Sequence, residues 1–139
     1  MAAKNSCYTY FAIKGLFDPD EITSIIGLTP TKQWSIGDLR QNGTVRNFAM
    51  WEYGRCDEYD VFVENQMMST ITDLMPKTNI LQKIYELYDV SFHLEVVPSV
   101  YVGEITPCIS PNRAVLEFCY LTKTGIDIDL YVFDSAEEE

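Results

Sequence analysis

The segment from Asp18 to Asp38 constrains the fold of this chain more than any other. Asp18 can accept hydrogen bonds from unpaired backbone N–H groups, Pro19 suits the first helical position, and Glu21 stands where a capping box requires it. Gly27 then supplies a left-handed stop. The pattern predicts a helix of about two turns, which is too short to be stable without tertiary packing.

The connection that follows this helix is rich in turn-forming residues and carries one aromatic anchor, Trp34. Pro30 restricts Thr29 to extended backbone, which ends the helix and directs the chain into a strand. The connection holds no combination of nucleophile, base and metal ligands. We interpret it as structural, with Trp34 packing over the short helix and its indole N–H at the surface.

Apolar periodicity predicts the remaining elements. Residues 7–14 are apolar on both faces, which is typical of a central strand. The other predicted strands are 31–38, 48–53, 91–97 and 126–133. Residues 61–88 have helical periodicity with a break at Pro76, and a last helix opens at Ser110 and Pro111 and ends at Gly125. The order β-α-β-β-α-β-α-β indicates an α+β fold, with one mixed, mainly antiparallel sheet and helices on one face.

The composition indicates one acidic domain, residues 1–134, with an acidic C-terminal tail at 135–139. The chain has 139 residues, 47% of them hydrophobic, which is enough for a core and argues against disorder. Its net charge of −11 disfavours nonspecific nucleic-acid binding and would attract a cationic partner. The alternative is that the acidity serves solubility alone.

The cysteines give no sign of a metal or disulfide site. Cys7, Cys56, Cys108 and Cys119 include no C-x-x-C pair, and His93 is the one histidine, so zinc is not expected. We predict neither a cofactor nor a metal. No signal peptide or membrane-spanning run is recognised, and the expected location is a reducing cytoplasm.

The chain resembles a small bacterial family catalogued as domain of unknown function 4279. The residues that carry the resemblance are Leu16, Asp18-Pro19-Asp20-Glu21-Ile22-Thr23, Gly27-Leu28-Thr29-Pro30-Thr31, Trp34, Gly37-Asp38, Trp51, Gly125 and Ile126-Asp127-Ile128-Asp129-Leu130-Tyr131. The likeness covers most of the chain and is strongest in the first 55 residues. It implies a fold but no activity, so it provides no catalytic residue.

Residues with reactive groups have simpler interpretations. His93 and Glu95 share one face of a strand, where alternation predicts a solvated polar face rather than a catalytic pair. Asp127 and Asp129 share a strand face and could hold a cation, but more oxygen ligands would be needed. Cys56 beside Arg55 is interpreted as a free surface thiol.

These observations favour a protein-binding domain over an enzyme. We expect an inhibitor or immunity protein that neutralises a basic bacterial toxin, because an acidic surface can cap a basic active site and accelerate association. The expected contact residues are Asp57, Glu58, Asp60, Asp127, Asp129 and Trp34. The alternative is a small-ligand or enzymatic domain with an aromatic pocket between sheet and helices, lined by Trp34, Trp51, Tyr53, His93 and Glu95.

Overall fold

The fold is α+β, with one mixed, mainly antiparallel sheet, as the sequence predicted, and the described residues form four helices where the sequence predicted three. A computed structural model describes residues 4–134, so the predicted acidic tail lies outside the described residues. The strands are β1 Ser6–Leu16, β2 Lys32–Trp34, β3 Ala49–Cys56, β4 Asp89–Tyr101, β5 Thr124–Ile128 and β6 Tyr131–Phe133. The helices are α1 Pro19–Ile26, α2 Glu64–Ile71, α3 Thr78–Leu87 and α4 Arg113–Thr122. A 3-10 turn, Met75–Lys77, contains Pro76 and separates α2 from α3 at the predicted break.

The sheet is built around β1, which confirms that residues 7–14 belong to a central strand. The strand order is β2-β3-β1-β4-β5, and β6 also pairs with β4. Pairs β1/β3, β1/β4 and β2/β3 are antiparallel, whereas β5 and β6 both run parallel to β4. β1 is therefore bonded on both edges over most of its length, as its apolar composition requires.

The hydrophobic core lies between the helices and one face of this sheet. Phe11, Trp51 and Leu94 are fully buried there, and the helices contribute residues such as Ile22 and Met67. All four helices of the described chain contribute side chains to this one core cluster, so they pack on the same side of the sheet. Alternate strand residues point to the other side. The opposite side is called the open face below.

The α1 helix begins and ends where the sequence predicted. The Asp18 side chain accepts from the N–H of Asp20 at 3.0 Å, and Gly27 closes the helix at φ 78°. The helix is tied to the sheet because the indole N–H of Trp51 donates to the Thr23 hydroxyl at 3.0 Å. Local caps start the helix, and packing of Ile22 in the core supports it.

The prediction that Trp34 covers α1 is wrong. Trp34 pairs with Met50 across β2 and β3, and cross-strand partners point to the same side of a sheet. Met50 belongs to the open face, so Trp34 does too. The Trp34 indole N–H is also not free at the surface, since it donates to the Phe48 carbonyl at 2.9 Å.

Three predicted boundaries near the C-terminus also differ. The α4 helix ends at Thr122, with Lys123 in the left-handed region at φ 58°, and not at Gly125, which lies within β5. The cap of α4 is Asn112, whose side chain accepts from the N–H of Val115 at 2.9 Å, and not Ser110. The predicted final strand is two strands, because the chain leaves β5 after Ile128 and the N–H of Asp129 donates to the Val96 carbonyl at 2.8 Å. β6 then pairs further along β4.

Candidate functional site

The open face carries a trough lined by cations and aromatic rings. Its volume is about 250 Å³, just below the roughly 300–1,000 Å³ of drug-sized ligand sites. We define the cationic trough by its lining residues, Tyr8, Tyr10, Lys14, Lys32, Trp34, Met50, Glu52 and Arg55. They come from β1, β2 and β3, which lie side by side in the sheet.

Two buried carboxylates hold cations of this face in place. Glu52 is 4% exposed, lies 3.6 Å from the Arg55 guanidinium and accepts from the Thr31 hydroxyl at 2.6 Å. Glu95 is 5% exposed and lies 3.5 Å from the Lys14 ammonium. A buried carboxylate needs such partners, since leaving it alone is costly. The pairs therefore restrict where the two cations point.

Aromatic rings and cations are interleaved along the trough. The Tyr8 and Tyr10 rings stack with centroids 6.1 Å apart, and the Arg55 guanidinium lies 4.2 Å from the Tyr8 centroid. At the other end, the Arg46 guanidinium lies 3.5 Å from the Trp34 centroid. Each contact orders a flexible cation through the ring's negative face.

Glu95 differs most from its sequence interpretation. It was expected to be solvated, but it is buried beside Lys14 and Asp127, because the neighbouring strands bring these side chains over it. Burial, together with a hydrogen bond shared with Asp127, raises the pKa of Glu95 to about 7, against the opposing effect of Lys14. Two carboxyl groups share a hydrogen bond only when one holds a proton.

His93 is half-buried next to this pair. Its ring nitrogen Nε2 lies 2.8 Å from the Ser91 hydroxyl. Burial lowers the pKa of His93, the Lys14 charge lowers it further, and Asp127 acts in the opposite direction. His93 is therefore mostly neutral at neutral pH, and the described contacts of its ring include no carboxylate that would orient it as a general base.

The burial of Glu95 predicts a pH-dependent stability. The pKa of Glu95 is higher in the folded state than its ordinary value of 4.5. The protonated Glu95 side chain therefore contributes its full stabilisation below pH 4.5, and this stabilisation is lost as the pH rises through about 7. We expect wild type to lose about 1–3 kcal/mol relative to Glu95→Gln between acidic and mildly alkaline pH. Urea unfolding of both proteins at several pH values measures this difference. Parallel curves for the two proteins would contradict it.

The predicted contact residues Asp57 and Glu58 are exposed in the loop that follows β3. Asp60 lies in the same loop, and its carboxylate accepts from the Phe62 N–H at 2.8 Å and from the Asn65 amide at 2.9 Å. These hydrogen bonds, that of Asn65 first, lower the pKa of Asp60.

Asp127 and Asp129 are also exposed. The prediction that they share one face of a strand is wrong. Asp127 lies in β5, whereas Asp129 follows that strand and accepts from the Tyr131 hydroxyl at 3.1 Å. The C-terminal ends of β3, β4 and β5 lie at the same end of the sheet as the start of β1. Asp57 and Asp129 therefore both lie at that end. Three strand spacings, about 14 Å, separate β3 from β5.

Trp34 does not join these acidic residues. It pairs with Met50 near the start of β3, whereas Asp57 follows the end of that strand, roughly 20 Å away along it. The structure therefore divides the predicted contact set into an acidic end of the sheet and a separate trough residue.

An apolar groove opens at the acidic end. Its volume is about 380 Å³, and its lining residues are Lys4, Asn5, Tyr59, Val61, Glu104 and Ile105, which define the end groove. The Asn5 amide donates to the Ile105 carbonyl at 2.7 Å and its oxygen accepts from the Tyr101 N–H at 2.8 Å. Ile105 is nevertheless 82% exposed. The groove therefore presents apolar surface that the described chain leaves uncovered.

The residues predicted for an aromatic pocket are not brought together. Trp51 is fully buried and Tyr53 stacks on it at 5.8 Å, on the helix side of the sheet. Trp34, His93 and Glu95 lie on the open face. Side chains on opposite faces of one sheet cannot line one pocket.

Two of the four cysteines are buried and unreactive. Burial raises the pKa of both Cys7 and Cys119 to about 11, so these thiols stay protonated and unreactive at neutral pH. Among residues 4–134, no group of three or more His, Cys, Asp or Glu side chains is placed to hold a metal ion. No helix in that range combines the length and apolar composition needed to cross a bilayer.

Comparison with known proteins identifies a family. The model described as Domain of unknown function (DUF4279) matches residues 5–133. No curated protein and no solved structure matches the chain. The description of the family gives no activity. The cationic trough and the end groove are the features of this chain that bear on its function.

Proposed function

The chain belongs to the DUF4279 family, and from the geometry of its surface we propose that it is a protein-binding domain with a basic protein as its partner. The observation that carries this proposal is the end groove, an apolar cleft beside exposed carboxylates. The partner contacts this end of the sheet.

The composition of the end groove supports a protein partner. Tyr59, Val61 and Ile105 expose apolar surface, while Asp57 and Glu58 lie next to it in the chain. An apolar centre with a polar rim is the usual anatomy of a protein interface. Because these apolar side chains line one groove rather than being scattered singly, they support a contact site in this proposal.

Charge favours a basic partner over a neutral or acidic one. The net charge of the chain is −11, and Asp57, Glu58, Glu104, Asp127 and Asp129 are exposed at this end. Opposite charge accelerates the encounter of two proteins and orients it before contact. A bacterial toxin whose basic active site is capped by this end would be neutralised, so the domain acts as an inhibitor or immunity protein.

The test uses the protein encoded next to this gene as the candidate partner. Binding is measured with wild type, with Asp57→Lys/Glu58→Lys, and with Glu86→Lys/Glu117→Lys as a control that changes the net charge equally. Glu86 and Glu117 are exposed on α3 and α4. We expect the first double variant to bind about tenfold to a hundredfold more weakly, mainly through slower association, and the control to bind nearly as wild type.

A second pair of variants tests the apolar contact. Ile105→Ala removes a groove side chain that is 82% exposed, and Leu87→Ala removes one that is 78% exposed at the end of α3. We expect about tenfold weaker binding for the first alone. The proposal fails if the neighbouring protein does not bind or is not neutralised, or if each control loses as much affinity as its matched variant.

A further inference from the structure

A cluster of positive charge lies on the open face of this acidic chain. Ten residues are Lys or Arg, and four of them, Lys14, Lys32, Arg46 and Arg55, lie in the cationic trough or against Trp34 at its end. Within the trough lining, three cations accompany one carboxylate, Glu52. Glu95 and Asp127 lie beside this lining, but the four cations still outnumber the three carboxylates. The local charge is therefore slightly positive, opposite in sign to that of the whole molecule.

We infer that the cationic trough is a binding site for a small organic anion that carries a planar ring. This inference does not depend on the protein partner proposed above, because the trough and the end groove share no lining residue. The anion contacts Lys32 and Arg55, and the ring lies against the aromatic side chains.

The cations are already arranged for a ligand. Glu52 holds Arg55 at 3.6 Å, and Glu95 holds Lys14 at 3.5 Å from the neighbouring strand. Lys32 makes no ion pair with any residue of the described range 4–134. Its ammonium, 5.9 Å from the Trp34 centroid, can therefore pair with an anion without breaking an existing salt bridge. Cations held in advance lose less freedom when they bind.

The walls of the trough favour a planar group. The Tyr8 and Tyr10 rings are nearly parallel, 13° apart, and Arg55 adds a flat guanidinium over Tyr8. Trp34 forms the wall at the opposite end. Aromatic and guanidinium surfaces bind planar rings by stacking, and the guanidinium fork also matches carboxylate or phosphate oxygens.

The size of the trough limits the ligand. A volume of about 250 Å³ corresponds to roughly eight water molecules in the liquid. It is below the range of drug-sized sites, so it accommodates one ring and one anionic group and excludes a dinucleotide. Phenyl phosphate has these two parts and little else, which makes it a suitable probe.

The experiment is a titration of the full chain with phenyl phosphate, followed by backbone amide NMR shifts. We expect saturable shifts along β1 and β3 around Tyr10 and Glu52. Inorganic phosphate and phenol, which each lack one part, should bind at least tenfold more weakly. Lys32→Gln should weaken phenyl phosphate binding about tenfold. Lys83→Gln, which removes an exposed lysine of α3, should leave it unchanged.

Three outcomes would overturn the inference. They are the absence of saturable shifts at the trough, an equal loss of affinity in Lys83→Gln, and binding of inorganic phosphate as tight as that of phenyl phosphate. Tryptophan fluorescence gives an independent readout, because Trp51 is fully buried whereas Trp34 lines the trough. A fluorescence change on binding should vanish in Trp34→Phe.

Discussion

Replacing Gly54 with alanine is expected to lower the free energy of unfolding by about 3–5 kcal/mol. Gly54 has φ +73°, and a Cβ there would lie 2.3 Å from the Thr70 carbonyl oxygen. Part of the cost, about 1–2 kcal/mol, comes from the left-handed backbone. The rest comes from the clash, which forces α2 away from the sheet.

The contacts beside Gly54 explain why α2 cannot move freely. The Thr9 hydroxyl is 2.7 Å from the Thr70 hydroxyl and donates to the Gln66 carbonyl at 3.1 Å, all within the buried interior. The register of β1 and β3 also shifts here, between Thr9 and Phe11. Moving α2 would leave these buried polar groups without partners, which is costly.

Gly43→Ala is the matched control for this substitution. Gly43 has a similar φ of +85°, but nothing lies within 4 Å of a Cβ built there. Gly43→Ala should lower the free energy of unfolding by about 1–2 kcal/mol, which is the backbone penalty alone. Urea unfolding followed by circular dichroism compares the two. Equal losses for the two variants would show that close packing of α2 on Gly54 is unimportant.

Trp51→Ala is expected to lower the free energy of unfolding by about 3–5 kcal/mol. Trp51 is fully buried in the core, stacks on Tyr53 at 5.8 Å and donates its indole N–H to Thr23 at 3.0 Å. The substitution removes the largest side chain among the fully buried residues described and leaves a cavity beneath α1. Because α1 is short, it depends on this packing more than a long helix would.

Trp34→Ala provides the comparison, since it removes the same side chain from a half-buried position on the open face. Its cost should be less than half that of Trp51→Ala, because solvent can occupy part of the space. Trp51→Phe should lie between the two, as it keeps a ring but loses the bond to Thr23. Thermal and urea unfolding measure all three variants. A larger loss for Trp34→Ala would contradict the assignment of the core to the other face.

The sequence alone predicts only part of the candidate site. Alternation along residues 48–53 puts Met50 and Glu52 on one face of the strand and Trp51 on the other, in agreement with the structure. The same alternation applied to β1 would have found Tyr8, Tyr10 and Lys14. It could not show that Lys32 and Arg55 join them, because strand order and the register shift near Gly54 are not local properties.

The sequence by itself determined the features that depend only on residues close together along the chain. The caps Asp18 and Gly27, the break at Pro76 and the apolar face of each strand follow from backbone chemistry and side-chain period. The tertiary structure alone decided that Glu95 is buried beside Lys14 and Asp127, and that α2 contacts Gly54. These features arise between strands and helices that are distant in sequence, where burial and the loss of solvent set the energies.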